Sequence, residues 1–384
     1  MHRTDRRRET PNRPTPLAAS GRYSLNAICP YFTMFPLEFP LKILKRHPDA
    51  KAVGDPFCGR GTTLFAARSR DVQAFGIDCS PVAVAIAEAK LARIDLEECL
   101  ALARRIIAHR RDITIPRGEF WQHAYAASTL RDICRLRAGL RDQGSKSDAA
   151  ILLRAAVLGC LHGPVNSLLS YLSNQMPRTF APKPDYARKF WKQHGMKPPV
   201  VDVIKAVERK LSRIAAEDEN ADQPCRGRVW QGDAAEPSDF RWIRTRLSLA
   251  ITSPAYFGMS TYLPDQWLRN WFLGGPAKVD YSSMESLPMS NAFEYTEALG
   301  DVWSNLAGCA ADEFHLYVRF GAIPSRQVDA KRLLLESLES SANRWRIVSL
   351  RDARTADAGK RQAKHMKSHG KAPVELDLHA VLLD

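Results

Sequence analysis

The sequence predicts an α/β fold: an open, mostly parallel sheet with helices on both faces, interrupted by a helical insertion. Three observations carry this. Short apolar runs of strand length recur near 50–57, 73–78, 228–233 and 247–253, and their ends carry Asp55, Asp78, Asp233 and Ser253. The first run enters a turn with two glycines, Gly59 and Gly61, followed by a helical pattern in Leu64-Phe65-Ala66-Ala67. Helical periodicity then dominates from about 95 to 219 before alternation resumes at Arg228.

Taken in order, residues 1–25 read as a disordered basic tail. Arg3, Arg6, Arg7, Arg8 and Arg13 are interleaved with Pro11, Pro14 and Pro16, and no apolar h-region marks a secretory signal. Ordered sequence begins near Asn26. Pro30, Pro36 and Pro40 make the entry irregular, and 37–46 then carries helical spacing. The strand at 50–57, the glycine turn and a helix to Arg70 follow. Residues 73–78 form the second strand, and Ser80-Pro81 opens the next helix, with Ser80 as N-cap and Pro81 at the first position. Helices are expected at 96–109, 126–140, 148–161 and 200–216, with a polar, proline-bearing stretch at 174–197. The domains are therefore 26–95 with 225–384, and an insertion at 96–224. Further strands fall at 314–320, ending on Gly321, and in a terminal pair at 345–351 and 374–383. The basic stretch 353–371 between that pair reads as a surface loop.

The chain has 384 residues, 45% of them hydrophobic, enough for a substantial core. A net charge of +14 points to a polyanionic partner, with a merely solubilising surface as the rival reading. Eight cysteines lie scattered without a Cys-x-x-Cys pair, which argues against a zinc site or a disulfide framework and for a reducing cytoplasm. No metal is expected, and His162 lacks a partner at ligand spacing. No apolar stretch approaches the roughly 20 residues of a membrane span. No Gly-x-x-x-x-Gly-Lys-Ser/Thr string occurs, so ATP binding through a phosphate loop is rejected.

Gly59 and Gly61 can take positive φ and let a ligand approach the backbone, while Thr62 and Thr63 bring hydroxyls and N–H groups to the following helix's start. Asp78, at the second strand's end, can accept bonds from two ribose hydroxyls. Asp233 ends the third strand. Each feature alone also fits an ordinary tight turn or strand-end cap.

The full string Asp55-Pro56-Phe57-Cys58-Gly59-Arg60-Gly61-Thr62-Thr63, read with Ser253-Pro254-Ala255-Tyr256, resembles the DNA amino-methyltransferases of the N4-cytosine and N6-adenine family. The resemblance covers roughly 28–94 and 226–330 and implies a Rossmann-like S-adenosylmethionine methyltransferase sheet. It implies that Asp55, Phe57, Gly59 and Gly61 shape the cofactor's methionine pocket, that Asp78 holds the ribose and that Asp233 or its neighbours face the adenine amino group. Phe32 and Thr33, within Tyr31-Phe32-Thr33-Met34-Phe35-Pro36, lie in the segment such enzymes place beside the methionine part. The helical insertion falls where certain members carry a target-recognition region.

Methylating an exocyclic amino group is difficult because the nitrogen lone pair is delocalised into the ring. The chemistry needs acceptors for the N–H groups and a base held in line with the methyl donor. The Ser253 hydroxyl and the Pro254 carbonyl supply acceptors, and Tyr256 a stacking face for a base flipped out of duplex DNA. Ala255 departs from the family's Ser-Pro-Pro-Tyr and removes a ring that would fix φ. Serine at 253 leans toward cytosine N4. Adenine N6 is second, RNA third, and a catalytically silent cofactor- or DNA-binding protein is the rival of another class. C5-cytosine chemistry would need a cysteine nucleophile, and Pro224-Cys225 lies before the third strand, in the wrong place.

Within the insertion, Arg178, Lys183, Arg188 and Lys189 offer phosphate contacts, and Asn174 and Gln175 are candidates for adenine edges. The competing reading is a helix connection with inward aromatics and solvated charges. Tyr262, Gln266, Trp267, Arg269 and Trp271 are candidates to line the base pocket, a core role being favoured for the tryptophans. The expected partners are double-stranded DNA and a cognate restriction nuclease, the expected location the cytoplasm, on the nucleoid when bound.

Overall fold

The computed structural model describes residues 24–31, 35–109, 112–164, 171–177, 179, 181–217, 225–243, 245–258, 263–279, 287–288, 291–321, 328–353 and 375–383. Phe32, Thr33, Arg178 and Tyr262 lie outside the described residues, as do most of the basic tail and most of the 353–371 loop. Of the expected tail, Leu25 is described and is buried.

The first half of the sheet unit follows local signals closely. Helix α1 (Glu38–Arg46) leads to β1 (Ala52–Asp55), α2 (Thr62–Arg68), β2 (Gln73–Asp78) and α3 (Pro81–Glu88). Ser80 caps α3 by accepting the Ala83 N–H, with Pro81 at the first helical position. The insertion then contributes α4 (Leu96–Ala108), α5 (Glu119–Ala124), α6 (Ala127–Gln143), α7 (Asp148–Cys160), α8 (Pro184–Gln193) and α9 (Val203–Glu217). Asp95 and Ser147 cap α4 and α7 in the same way. The chain returns to the sheet through β3 (Gly227–Gln231) and β4 (Leu247–Thr252). It continues with α10 (Leu263–Phe272), α11 (Ala292–Gly308), β5 (Ala310–Gly321), α12 (Ala330–Glu339), β6 (Trp345–Asp352) and β7 (Glu375–Leu382).

Helix α8 corrects the reading of 174–197 as an irregular connection. Pro184 occupies its first turn, where a missing N–H costs nothing, and Ala187 and Trp191, four apart, form its buried face. Helix α10 likewise converts part of the aromatic-rich stretch after the Ser-Pro-Ala-Tyr tetrad into ordered structure, burying Trp267, Leu268, Trp271 and Phe272.

The seven strands lie in the order β3-β2-β1-β4-β5-β7-β6. β1 pairs in parallel with β2 on one side and β4 on the other, and β7 runs antiparallel between β5 and β6. The winding thus reverses between β1 and β4, which opens a crevice outside the carboxyl ends of those strands.

Strand alternation sends two sets of side chains into two layers. Val53, Leu249, Ile251 and Tyr317 pack with α2, α3 and the insertion helices in one continuous apolar cluster. Ala52, Ala250, Leu316, Val318 and Leu378 face the other way, against α11 and α12.

Candidate functional site

The crevice is built from four loops tied to one another across the switch point. After β1, Gly59 and Gly61 adopt φ of 51° and 80°, the left-handed region that glycine enters without strain. At Gly61 a Cβ would lie 2.9 Å from the Ala87 Cα, so the turn sits directly on α3 and no side chain fits there. The Cys58 N–H donates to the Ile77 carbonyl at 2.9 Å and the Gly59 N–H to Asp78 Oδ2 at 2.9 Å, fastening the turn to the end of β2. Asp78 Oδ1 accepts the Ser80 N–H at 2.9 Å.

β3 joins from the other side. The Gly232 N–H donates to the Asp78 carbonyl at 3.2 Å, and the Gln231 side-chain amide donates to the Cys79 carbonyl at 3.1 Å. Asp233 follows, its Oδ1 accepting the Ala235 N–H and its own N–H donating to Asp239 Oδ2. The structure therefore brings together Asp55, Phe57, Gly59, Gly61, Asp78 and Asp233 around one crevice.

Burial dominates the electrostatics. Asp55 is 2% exposed, and its carboxyl is raised to about 7, chiefly because its surroundings exclude water. Oδ1 accepts the Thr252 hydroxyl at 2.7 Å and the Phe57 N–H at 3.2 Å. Oδ2 is buried with no hydrogen-bond partner among the described residues. Burial raises Asp78 to about 6, against the opposing bonds from the Ser80 and Gly59 N–H groups. Tyr31, bonded to the Ser80 hydroxyl, is pushed above its ordinary value by burial and by the Asp78 charge, so the upstream segment lies beside Asp78.

Thr62 and Thr63 play a different part from the one expected of them. Both are buried, and Thr63 Oγ1 donates to the Ile251 carbonyl at 3.0 Å. That hydroxyl clamps α2 onto β4 instead of facing the crevice.

The upstream segment is itself held by cations. Lys90 is fully buried, and its Nζ donates to the Leu25 and Asn26 carbonyls at 2.7 and 3.4 Å. Burial, reinforced by Arg60, drives this amine well below its ordinary range. Lys210 of α9 donates to the Ile28 carbonyl at 3.0 Å. Nothing local in the sequence marks Lys90 or Lys210 for this role.

At the end of β4 the Ser253-Pro254-Ala255-Tyr256 tetrad is fixed from three directions. Thr252 bonds to Asp55. The Tyr295 hydroxyl of α11 donates to the Ala255 carbonyl at 2.6 Å. The Tyr256 hydroxyl donates to Glu375 Oε1 at 3.0 Å. A Cβ at Gly321 would lie 2.8 Å from Tyr256 Cε2, so the ring lies across bare backbone there, with Phe320 in edge contact. Burial holds the Tyr256 phenol far above its ordinary value, Glu375 adds to the rise, and the Ser253 hydroxyl is hydrogen-bonded to it.

The insertion residues divide. Asn174 and Gln175 are 4% and 3% exposed; Asn174 reaches toward the His123 carbonyl, and the Trp191 indole donates to the Gln175 carbonyl. Their expected reach to base edges is thereby corrected: burial has turned both inward. His162 is buried as well, bonded to Ser173 at 2.7 Å. Gln266 and Arg269 are buried against each other, and Trp267 and Trp271 belong to the core. Lys183 and Lys189 are exposed on and beside α8, Lys183 lying 4.0 Å from Asp265. Arg188 is paired with Glu119 and Asp185.

The strand order, the switch point and the antiparallel β7 define a Rossmann-like sheet of the S-adenosylmethionine methyltransferase class, with helices on both faces. No family model and no curated protein matches the chain. Two solved structures of the rRNA methyltransferase aviRa from Streptomyces viridochromogenes are similar to it at 12% identity. One covers 91% of this chain and 87% of its own at a TM-score of 0.32; the other covers 94% and 93% at 0.34. Among the described residues, no helix is long and apolar enough to cross a membrane.

Proposed function

We propose that this chain is an S-adenosylmethionine-dependent methyltransferase acting on an exocyclic amino group of a nucleic-acid base, with cytosine N4 in DNA as the target. One observation carries the reading: the tetrad and the glycine turn end adjacent strands at the switch point and are joined there by the Thr252–Asp55 hydrogen bond. A base amino group beside Ser253 would then lie next to whatever the turn holds.

The residues around the turn suit the cofactor. The unpartnered Asp55 Oδ2 is a buried acceptor awaiting a donor such as the amino acid ammonium. The left-handed Gly61 leaves the turn's backbone bare, and Asp78 can accept ribose hydroxyls while its backbone bonds hold it in place. Asp55, Phe57, Gly59, Gly61, Asp78 and Asp233 would hold it, with Phe32 and Thr33 on the upstream segment. When bound, it supplies an electrophilic methyl group on a sulfonium.

The chain's own contribution is position and polarity. Ser253 Oγ and the Pro254 carbonyl accept the amino hydrogens, and Tyr256 presents a face to the extruded base. The net charge of +14 favours a polyanionic substrate. Incubation with labelled cofactor and DNA, digestion to nucleosides and mass spectrometry test the reading. N4-methylcytosine is the expected product. N6-methyladenine would reassign the base, label only in RNA would reassign the polymer, and no transfer to either would leave the silent-binder reading.

A further inference from the structure

We infer that Glu375, on β7, is the terminus of a proton relay that starts at Ser253 and passes through Tyr256, and that it fixes Ser253 as a hydrogen-bond acceptor toward the substrate. The inference rests on the amino-methylation reading above and adds a residue that lies outside the tetrad.

The arrangement is built rather than incidental. Gly321 of β5 and Glu375 of β7 are partners in the strand register, and the Glu375 carbonyl accepts the Ala353 N–H at 2.8 Å. The Tyr256 ring lies across Gly321, the one residue type that leaves room for it, and its hydroxyl reaches Glu375 Oε1 at 3.0 Å. Two residues along β7, Asp377 binds Arg319 through both oxygens, at 2.7 and 2.8 Å, so that this guanidinium is committed elsewhere. Glu375 is left to take the phenol's proton.

The direction of the chain follows from the groups. A carboxylate only accepts, so Tyr256 donates to it. The phenol oxygen then accepts the Ser253 hydroxyl proton. With its single proton committed, Ser253 Oγ turns only lone pairs outward, toward an amino N–H. A serine wired in this way discriminates against a target atom that can only accept.

The same chain carries the proton that amino methylation must shed. As the nitrogen lone pair forms the N–C bond, the C–S bond breaks and its electron pair stays on sulfur. One N–H proton passes to Ser253 Oγ, the serine proton to Tyr256 Oη, and the tyrosine proton to the Glu375 carboxylate. Neither hydroxyl gains net charge, and Glu375 afterwards releases the proton to water.

The test uses the full chain with Glu375→Gln, Tyr256→Phe and the double variant. In single-turnover transfer, Glu375→Gln should slow the chemical step by about 10²-fold, the low end of what positioned acid–base groups contribute. KM for the nucleic acid and the affinity for S-adenosylhomocysteine should stay within about 2-fold, which a folding defect would not allow. The double variant should be no slower than the slower single one. In the cofactor-free protein, the two substitutions should lower Tm less together than the sum of their separate effects. An active parent whose rate is unchanged by Glu375→Gln, or additive losses in both measurements, overturns the relay and leaves the methyltransferase reading standing. A parent that binds S-adenosylhomocysteine and nucleic acid but transfers no methyl overturns both. Should Glu375→Gln fail to fold, Tyr256→Phe decides alone, since it keeps the ring and removes the link: an unchanged rate overturns the relay.

Discussion

Asp55 and Thr252, 197 residues apart in sequence, meet through a 2.7 Å hydrogen bond that joins the ends of β1 and β4. The bond is buried at both ends, and Thr252 is fully inaccessible. It couples the turn expected to hold the cofactor to the strand that carries the tetrad. Thr252→Val keeps shape and volume but leaves Asp55 Oδ1 without its hydroxyl donor. Loss of a donor to a buried carboxylate should cost about 1–3 kcal/mol, read as a fall in the denaturant midpoint at unchanged slope. An unchanged midpoint would mean that the bond contributes nothing to fastening the two strands.

Asp55 and Asp78 give the site a proton linkage of definite sign. Both are raised above their ordinary value of 3.8, to about 7 and about 6. The stability each contributes is fully present below that ordinary value and is lost as pH rises through the folded one. Between pH 5 and 8 the cofactor-free parent should therefore lose more stability than Asp55→Asn does. Donors from a ligand favour the ionised forms, so S-adenosylhomocysteine binding near pH 6.5 should release protons. Calorimetry in two buffers of different ionisation enthalpy measures this. Uptake, or no exchange, would remove Asp55 and Asp78 from the ligand's contacts.

Asp78→Ala should weaken S-adenosylhomocysteine binding by the loss of two charge-assisted bonds, each of about 1.5–3 kcal/mol. The same carboxylate also holds the Gly59 and Ser80 N–H groups, so the turn will loosen as well. Asp78→Asn separates the two effects, since its amide oxygen can keep one backbone bond. Full affinity in a folded Asp78→Ala protein would exclude the ribose assignment.

How much of this was legible in the sequence follows from how local each cause is. β2 and the cap of α3 depend on alternation and on Ser80-Pro81, and they fall where those signals put them. The crevice was legible too, because Asp55, Asp78 and Asp233 each end a strand. Helix α8 was hidden by the prolines around it, although Pro184 begins the helix and does not break it. Thr63 was misassigned because a threonine after a glycine turn has two uses, and only the packing of α2 against β4 selects between them. Glu375, Tyr295 and Lys90 act through partners 119, 40 and 65 residues away, and no local pattern encodes such pairings.

On the insertion, Lys183 and Lys189 are exposed while Arg188 is engaged by Glu119 and Asp185. If this face meets a nucleic-acid backbone, Lys183→Ala and Lys189→Ala should each reduce the salt slope of binding by about one. Arg188→Ala should reduce it less, because that side chain already has anionic partners. Equal slopes for the parent and a Lys183/Lys189 double variant would turn attention to another basic face.

Ala255 stands where the family motif has a second proline, and Tyr295 supplies what the missing ring would otherwise provide. Its hydroxyl donates to the Ala255 carbonyl at 2.6 Å, and its ring meets Phe257 edge-on. A proline would restrict φ covalently, whereas here a fully buried tyrosine holds the same turn from α11. Tyr295→Phe removes that bond and keeps the packing, so stability should fall by about 1 kcal/mol. Methyl transfer should fall by more than this implies, because the tetrad must be held close to its working geometry. Combined with Ala255→Pro, the loss in rate should be partly restored, since the ring reimposes φ without the hydroxyl. Single-turnover rates of the two single variants and the double variant settle the matter. If Ala255→Pro helps the parent as much as it helps Tyr295→Phe, the tyrosine is not standing in for the proline.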